Sequence, residues 1–197
     1  IKNLLNLFIK IIYNMKNYIL FDTEFTAWEG SQKRNWSNDN EYREIIQISA
    51  LKIKNGKILD KLNIYVKPCI NKILSDYIIN LTGITNYKIM TQGVSFKKAL
   101  EEFYIFSENY ELYSYGNDYD VILENMKINK IMDDKYFKIE KKFKDFKDIL
   151  KKYTNINVNK YSSGTIYKAL DIKINNHKIH DSQSDIYSMY KVCEKIL

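Results

Sequence analysis

Asp22 and Glu24 stand two positions apart at the end of an apolar run, in the stretch Tyr18-Ile19-Leu20-Phe21-Asp22-Thr23-Glu24-Phe25. The run reads as a buried strand, and strand side chains alternate between faces, so both carboxylates point the same way. The residues that follow are polar, which puts the pair at the strand's carboxyl end, where open α/β sheets keep their ligand sites. Two carboxylates that close repel unless positive charge lies between them. A divalent cation would supply that charge, whereas an exposed strand end with two solvated acids would not need it. These eight residues leave both readings open.

Three more residues of the right type lie far along the chain: Asp120, His180 and Asp185. Each has a plainer account when taken singly. Asp120 suits the start of a helix, and a lone histidine is more often a surface residue than a base. Their order along the chain, an acid pair ending a strand, an acid opening a helix and a histidine five residues before a last acid, is what chance does not readily produce.

The elements that must position these groups can be read from periodicity. A turn-rich loop, Ala27 to about Tyr42, separates the first strand from a second, Glu44 to Ile53. Asn55-Gly56 is a hairpin signal, predicting a third strand, Lys57 to Val66, antiparallel to the second. Weak helical periodicity around Ser75 to Leu81 gives way to a clear helix from Ser95 to Ser107, with Ser95 as N-cap and Phe96, Ala99, Leu100, Phe103 and Phe106 on one face. Leu112 to Tyr115 reads as a strand ended by Gly116-Asn117, followed by a helix from about Tyr119 to Met126. The lysine-dense segment Lys138 to Lys152 reads as a solvated helix with a packed face, and its lysines are the alternative candidates for tracking phosphates. Ser162-Ser163-Gly164-Thr165 opens a helix to about Leu170. Asp181 caps a last helix to Ile196, which leaves His180 on the loop before it and Asp185 in its early turns. This order predicts an α/β fold, a mixed sheet with helices on its faces and the first strand central.

Composition limits the alternatives. A chain of 197 residues with 45% hydrophobic and 28% charged residues suits one globular domain. A net charge of +7 favours an anionic partner such as nucleic acid, although Arg34 and Arg43 are the only arginines in a chain crowded with Lys, Asn, Ile and Tyr. Cys69 and Cys193 form no CxxC pair, which argues against a zinc site or disulfide framework and for a reducing, cytoplasmic setting. No apolar run approaches the roughly 18 residues of a membrane span. Residues 1–16 carry Leu4, Leu5, Phe8, Ile9 and Ile12 at helical spacing. With Met15 as a natural start, they are expected to be an N-terminal extension, and residues 17–197 the functional domain.

Taken together, Phe21-Asp22-Thr23-Glu24-Phe25, Tyr119-Asp120 and His180 with Asp185 resemble the three motifs of the DEDDh exonucleases. The resemblance covers Tyr18 to Leu197. Within that group the chain is most similar to small-RNA and histone-mRNA trimming exonucleases and their bacterial KapD-like relatives. The finer likeness rests on Glu24-Phe25-Thr26-Ala27-Trp28-Glu29-Gly30, Glu44-Ile45-Ile46-Gln47-Ile48, Leu74-Ser75-Asp76 and Leu81-Thr82-Gly83-Ile84-Thr85. Proofreading subunits of replicative polymerases are more distant. Gln47 departs from the acid common in the group and Tyr119 from its tryptophan; His180 argues for the histidine subtype.

The resemblance implies a ribonuclease H-like, mixed five-stranded sheet with helices on both faces. It implies 3′-to-5′ hydrolysis of single-stranded RNA or DNA ends to nucleoside 5′-monophosphates, RNA favoured, with no protein partner indicated. Asp22, Glu24, Asp120 and Asp185 would hold two magnesium ions, with manganese able to substitute. His180 would be the general base. Thr23, Phe25, Thr26, Ile84 and Tyr119 would contact the terminal nucleotide. A catalytically silent nucleic-acid-binding module and a DNA proofreading-type exonuclease are the alternatives.

Overall fold

The run that ends in Asp22 and Glu24 forms β1 (Asn17–Phe25), buried from Tyr18 to Glu24. Its continuous burial explains its continuous hydrophobicity, since a strand covered on both faces has no solvent side to make polar. The computed structural model describes residues 17–137, 142–175 and 177–196. The expected extension, residues 1–16, lies outside them.

β1 pairs antiparallel with β2 (Ile45–Lys54), which pairs antiparallel with β3 (Lys57–Lys67). The hairpin between them turns on Asn55 and Gly56, both at positive φ (51° and 75°), as a two-residue turn matched to strand twist requires. On its other edge β1 runs parallel to β5 (Glu111–Ser114), which runs parallel to β6 (Phe143–Asp145). The first four of these strands are those read from the sequence, and β6 makes up the five-stranded mixed sheet that the resemblance implied. A two-residue strand, β4 (Val94–Ser95), extends it beyond β3, for the order β4-β3-β2-β1-β5-β6.

Seven helices are described: α1 (Asp76–Thr82), α2 (Asn86–Gln92), α3 (Phe96–Phe106), α4 (Asp118–Ile128), α5 (Asp134–Phe137), α6 (Phe146–Tyr153) and α7 (Ser182–Ile196). The alternation of β1 sorts them. Ile19 and Phe21 face a core built with α3, α4 and Tyr136, while Tyr18 and Leu20 face one built with α6 and α7. Asp22 and Glu24 continue the second face, towards α7. A third cluster joins α1 and α2 to the end of β2 through Ala27, Ile46, Leu74, Ile78, Ile84 and Ile89.

Local signals set the helix starts. The Ser95 side chain accepts the Lys98 N–H at 3.3 Å, and Asp181 accepts the Gln183 N–H at 3.2 Å. The lysine-dense segment departs from its reading as one helix. Of its described part, Phe143–Asp145 adds a strand beside β5, and Asp145 then caps α6 by accepting the Lys147 N–H at 2.8 Å. Three residues carry too little periodicity to separate a strand from a helix start. Residues 166–170 form a 3₁₀ turn where a helix was expected.

Candidate active site

Three segments far apart in sequence meet at the carboxyl end of β1. β1 contributes Asp22 and Glu24, the start of α4 contributes Asp118, and the first turns of α7 contribute Asp185. All four carboxylates are buried, at 7%, 8%, 9% and 4% exposure. One oxygen from each of Asp22, Glu24 and Asp185 lies within 4.8 Å of the others. Asp118 is tied to β1 through Thr23, whose N–H and hydroxyl both donate to its Oδ1 at 3.0 and 2.7 Å.

Asp118 takes the place expected of Asp120. Asp120 is exposed on α4 and does not line the cleft. Residues two apart on a helix point to opposite sides, so only one can face the sheet. The Gly116-Asn117 turn, with Gly116 at φ 112°, starts the helix so that the first aspartate faces inward.

Burial pushes all four carboxyls above the ordinary range. For Asp22 and Glu24 the repulsion of the neighbouring acids adds to it, whereas bonds from Thr23 partly offset it for Asp118. Asp185 is pushed up to about 7, burial being the main cause and Ser163 a partial offset. Ser163 donates to Asp185 Oδ2 at 3.3 Å, while buried Oδ1 has no hydrogen-bond partner. Four buried acids, one with an orphaned acceptor, form a donor set of hard oxygens that suits a divalent cation such as magnesium.

Asp185 is also held from behind. Gly164 is buried against it, and a Cβ added there would lie 2.2 Å from Asp185 Oδ1. The N-terminal turn of α7 is fixed to the sheet by a buried bond between Ser182 and Ser49 hydroxyls, 2.6 Å, and Ser49 donates to Asn63 at 3.0 Å. Gln47 sits opposite Glu24 in the β1–β2 register and donates to the same Asn63 oxygen at 2.8 Å. An acid at Gln47 would place a fifth negative group beside Glu24, so this departure from the group's pattern relieves repulsion.

His180 lines the same cleft from the turn before α7, at φ 64°. Its residue is exposed at the rim, yet the walls desolvate the ring enough to lower its pKa. The imidazole is therefore neutral, and able to accept a proton, at neutral pH.

Of the five expected nucleotide contacts, Thr23 and Phe25 line the cleft, a cavity of about 460 Å³. Three do not. The Thr26 hydroxyl is turned into the backbone, donating to Tyr42 O at 2.5 Å and accepting the Glu44 N–H at 2.9 Å. Ile84 is 3% exposed inside the third core cluster. Tyr119 stacks on Phe143 with ring centroids 4.0 Å apart, beside the β6 strand that sequence reading did not foresee. Tyr115, Lys147, Ser163, Trp36 and Arg43 line the cleft in their stead. Ser163 was visible as part of a helix-start signal and Lys147 as part of the lysine-dense segment; the other three carried no local signal.

A mixed sheet flanked by helices, with buried acids at the carboxyl end of its central strand, is the arrangement of the ribonuclease H-like fold. The profile of the family described as Exonuclease (RNase_T) matches residues 19–193, and the chain belongs to that family. The family is one of exonucleases. Among solved structures, the nuclease domain of 3′hExo, a DEDDh family member bound to rAMP, superimposes with a TM-score of 0.76 at 19% identity over 92% of both chains. Cell-death related nuclease 4 gives 0.69 at 18% identity, over 92% of this chain and 64% of that one. Among curated relatives, PolC-type DNA polymerase III of Oceanobacillus iheyensis is 24% identical over 91% of this chain, and that of Halalkalibacterium halodurans 29% identical over 66%. The chain spans only 12% and 9% of those two polymerases. Among the described residues no helix is long and apolar enough to cross a membrane.

Proposed function

We propose that the protein removes nucleotides one at a time from the 3′ end of single-stranded nucleic acid, releasing nucleoside 5′-monophosphates, with Asp22, Glu24, Asp118 and Asp185 as metal-holding residues and His180 as general base. The convergence of four buried carboxylates beneath one cleft carries this reading. Two divalent ions, magnesium with manganese as substitute, would supply charge neutralisation of the phosphate and activation of the attacking water.

The chain's own residues do the rest. Neutral His180, on the turn at the cleft rim, takes the proton of the attacking water. Thr23 holds Asp118 in place through two hydrogen bonds. Phe25 offers the terminal nucleotide an apolar surface, and stacking or packing on such a surface tolerates any base. Lys147, also lining the cleft, lies 5.0 Å from the Tyr115 ring and brings positive charge to the phosphate backbone.

RNA is the favoured substrate, supported by the match over 92% of the chain to a nuclease domain bound to rAMP. The PolC-type relatives favour the second reading, a DNA proofreading-type exonuclease. Matched single-stranded RNA and DNA, labelled at the 3′ end and incubated with magnesium, test both. Labelled 5′-monophosphate should appear, faster from RNA, and a circular substrate should stay whole. Binding without any product would leave a silent nucleic-acid-binding module as the function.

A further inference from the structure

The cleft does not end at the carboxylates. Beyond Phe25 it opens into a second hollow of about 340 Å³, lined in part by Tyr42, Lys127 and Ile128 and sharing Asn35, Trp36 and Arg43 with the first. At that junction the rings of Phe25 and Trp36 lie 5.6 Å apart, and the Arg43 guanidinium lies 5.5 Å from the Trp36 ring and 6.0 Å from Phe25. The Trp36 indole donates to Thr26 O at 3.1 Å, and its backbone N–H donates to Ser31 O at 2.9 Å. Asn35 and Trp36 both adopt positive φ, 52° and 51°. A bulky residue is a true outlier there, and such strain gathers at ligand sites. The loop thus holds a half-buried tryptophan in an unfavourable backbone conformation to keep its ring beside the cleft.

We infer that Trp36 and Arg43 form a second nucleobase platform, which takes the base of the nucleotide preceding the one removed. The charges around the hollow favour a base over a phosphate. Arg43 is engaged through two nitrogens by Glu124, and the hollow is lined by Glu41 and Glu124 as well as by Arg43 and Lys127, so its acids and bases balance. What the junction still offers is flat surface, an indole and a planar guanidinium, on which any base can stack. The platform rests on the exonuclease reading and adds to it a preference for chains over single nucleotides.

The test compares a single-stranded tetranucleotide with the methyl ester of thymidine 5′-monophosphate, which presents a terminal nucleotide and a leaving group with no ring to stack. Wild type should prefer the tetranucleotide in kcat/KM. Trp36→Ala should reduce that preference by about tenfold, through KM on the tetranucleotide and not through kcat, in keeping with the usual worth of one stacked base. Trp36→Phe should restore most of it. The loss should be the same at low and high salt, since no phosphate charge is involved. Equal losses on both substrates, or no loss on the tetranucleotide, would overturn the platform while leaving the exonuclease reading intact. A wild type that cleaves neither substrate would remove the exonuclease reading, and the platform with it.

Discussion

Two aspartates two positions apart on one helix cannot both face the sheet behind it, and the choice between Asp118 and Asp120 decides which one the chemistry depends on. Asp118→Asn should lower kcat by at least about a hundredfold through loss of one charge from the buried acidic cluster proposed to hold metal. Asp120→Asn, on the exposed side of α4, should stay within about twofold, as surface substitutions usually do. Steady-state rates on one labelled oligonucleotide check both; a larger effect from Asp120→Asn would reverse the assignment. His180 gives a prediction with a sign. Desolvation lowers its pKa, so the acid limb of the wild-type rate profile should lie below the ordinary histidine value of about 6.5. His180→Ala should lose about 10² to 10⁴-fold in kcat. A pH-rate series should find that limb gone from the variant.

Elements enter through what holds them. Asp185 is placed by α7, and α7 by its seat on the sheet and by the turn containing Gly164. With a built Cβ only 2.2 Å from Asp185 Oδ1, Gly164→Ala must displace the carboxylate or the turn. Metal affinity measured by titration calorimetry should fall about 10 to 100-fold, the usual effect of disturbing a ligand's support, with little change in far-UV dichroism. α4 is clamped to β2 by Asn125, 2% exposed, which accepts the Ile45 N–H at 2.9 Å and donates to Arg43 O and Val121 O at 2.7 and 2.8 Å. Asn125→Ala strands a buried N–H and carbonyls, and should cost about 2 to 3 kcal/mol in denaturant unfolding. That clamp also supports Arg43, so the variant links the stability of one helix to the shape of the cleft.

For the whole molecule, the acidic centre makes folding depend on pH and on metal in opposite directions. The four carboxyls have raised pKa values in the folded protein, so between the ordinary carboxylate range and about 7 for Asp185 the folded state binds more protons than the unfolded chain. Stability in the presence of a chelator should therefore fall as pH rises through that window. Magnesium or manganese should reverse the fall, adding about 2.7 kcal/mol at a hundredfold excess over Kd. Thermal unfolding between pH 5 and 8, with and without metal, checks this, and Asp22→Asn should flatten the chelator curve by removing one of the repelling charges. A metal-free Tm that climbed across the window would contradict the buried cluster.

Much of the site was legible in residues 18–25, because burial and strand alternation are local properties: an apolar run followed by Asp22 and Glu24 can place both acids on one face and at one end. His180 and Asp185 were legible for a similar reason, since Asp181 capping α7 sets their positions relative to one helix start. The Asn55-Gly56 turn and the Ser95 cap set the hairpin and α3 in the same local way. Asp118 was not legible, because which residue of a helix's first turn faces inward depends on how the Gly116-Asn117 turn leaves β5. Nor were Trp36 and Arg43, which reach the cleft only through a loop folded back at Asn35 and Trp36, or the packing of Tyr119, which needed a strand of three residues to stack upon. Sequence alone determined the class of chemistry and the strand it is built on. Tertiary structure decided the fourth carboxylate and the walls of the cleft, since backbone turns with positive φ and contacts between distant segments leave no periodic trace along the chain.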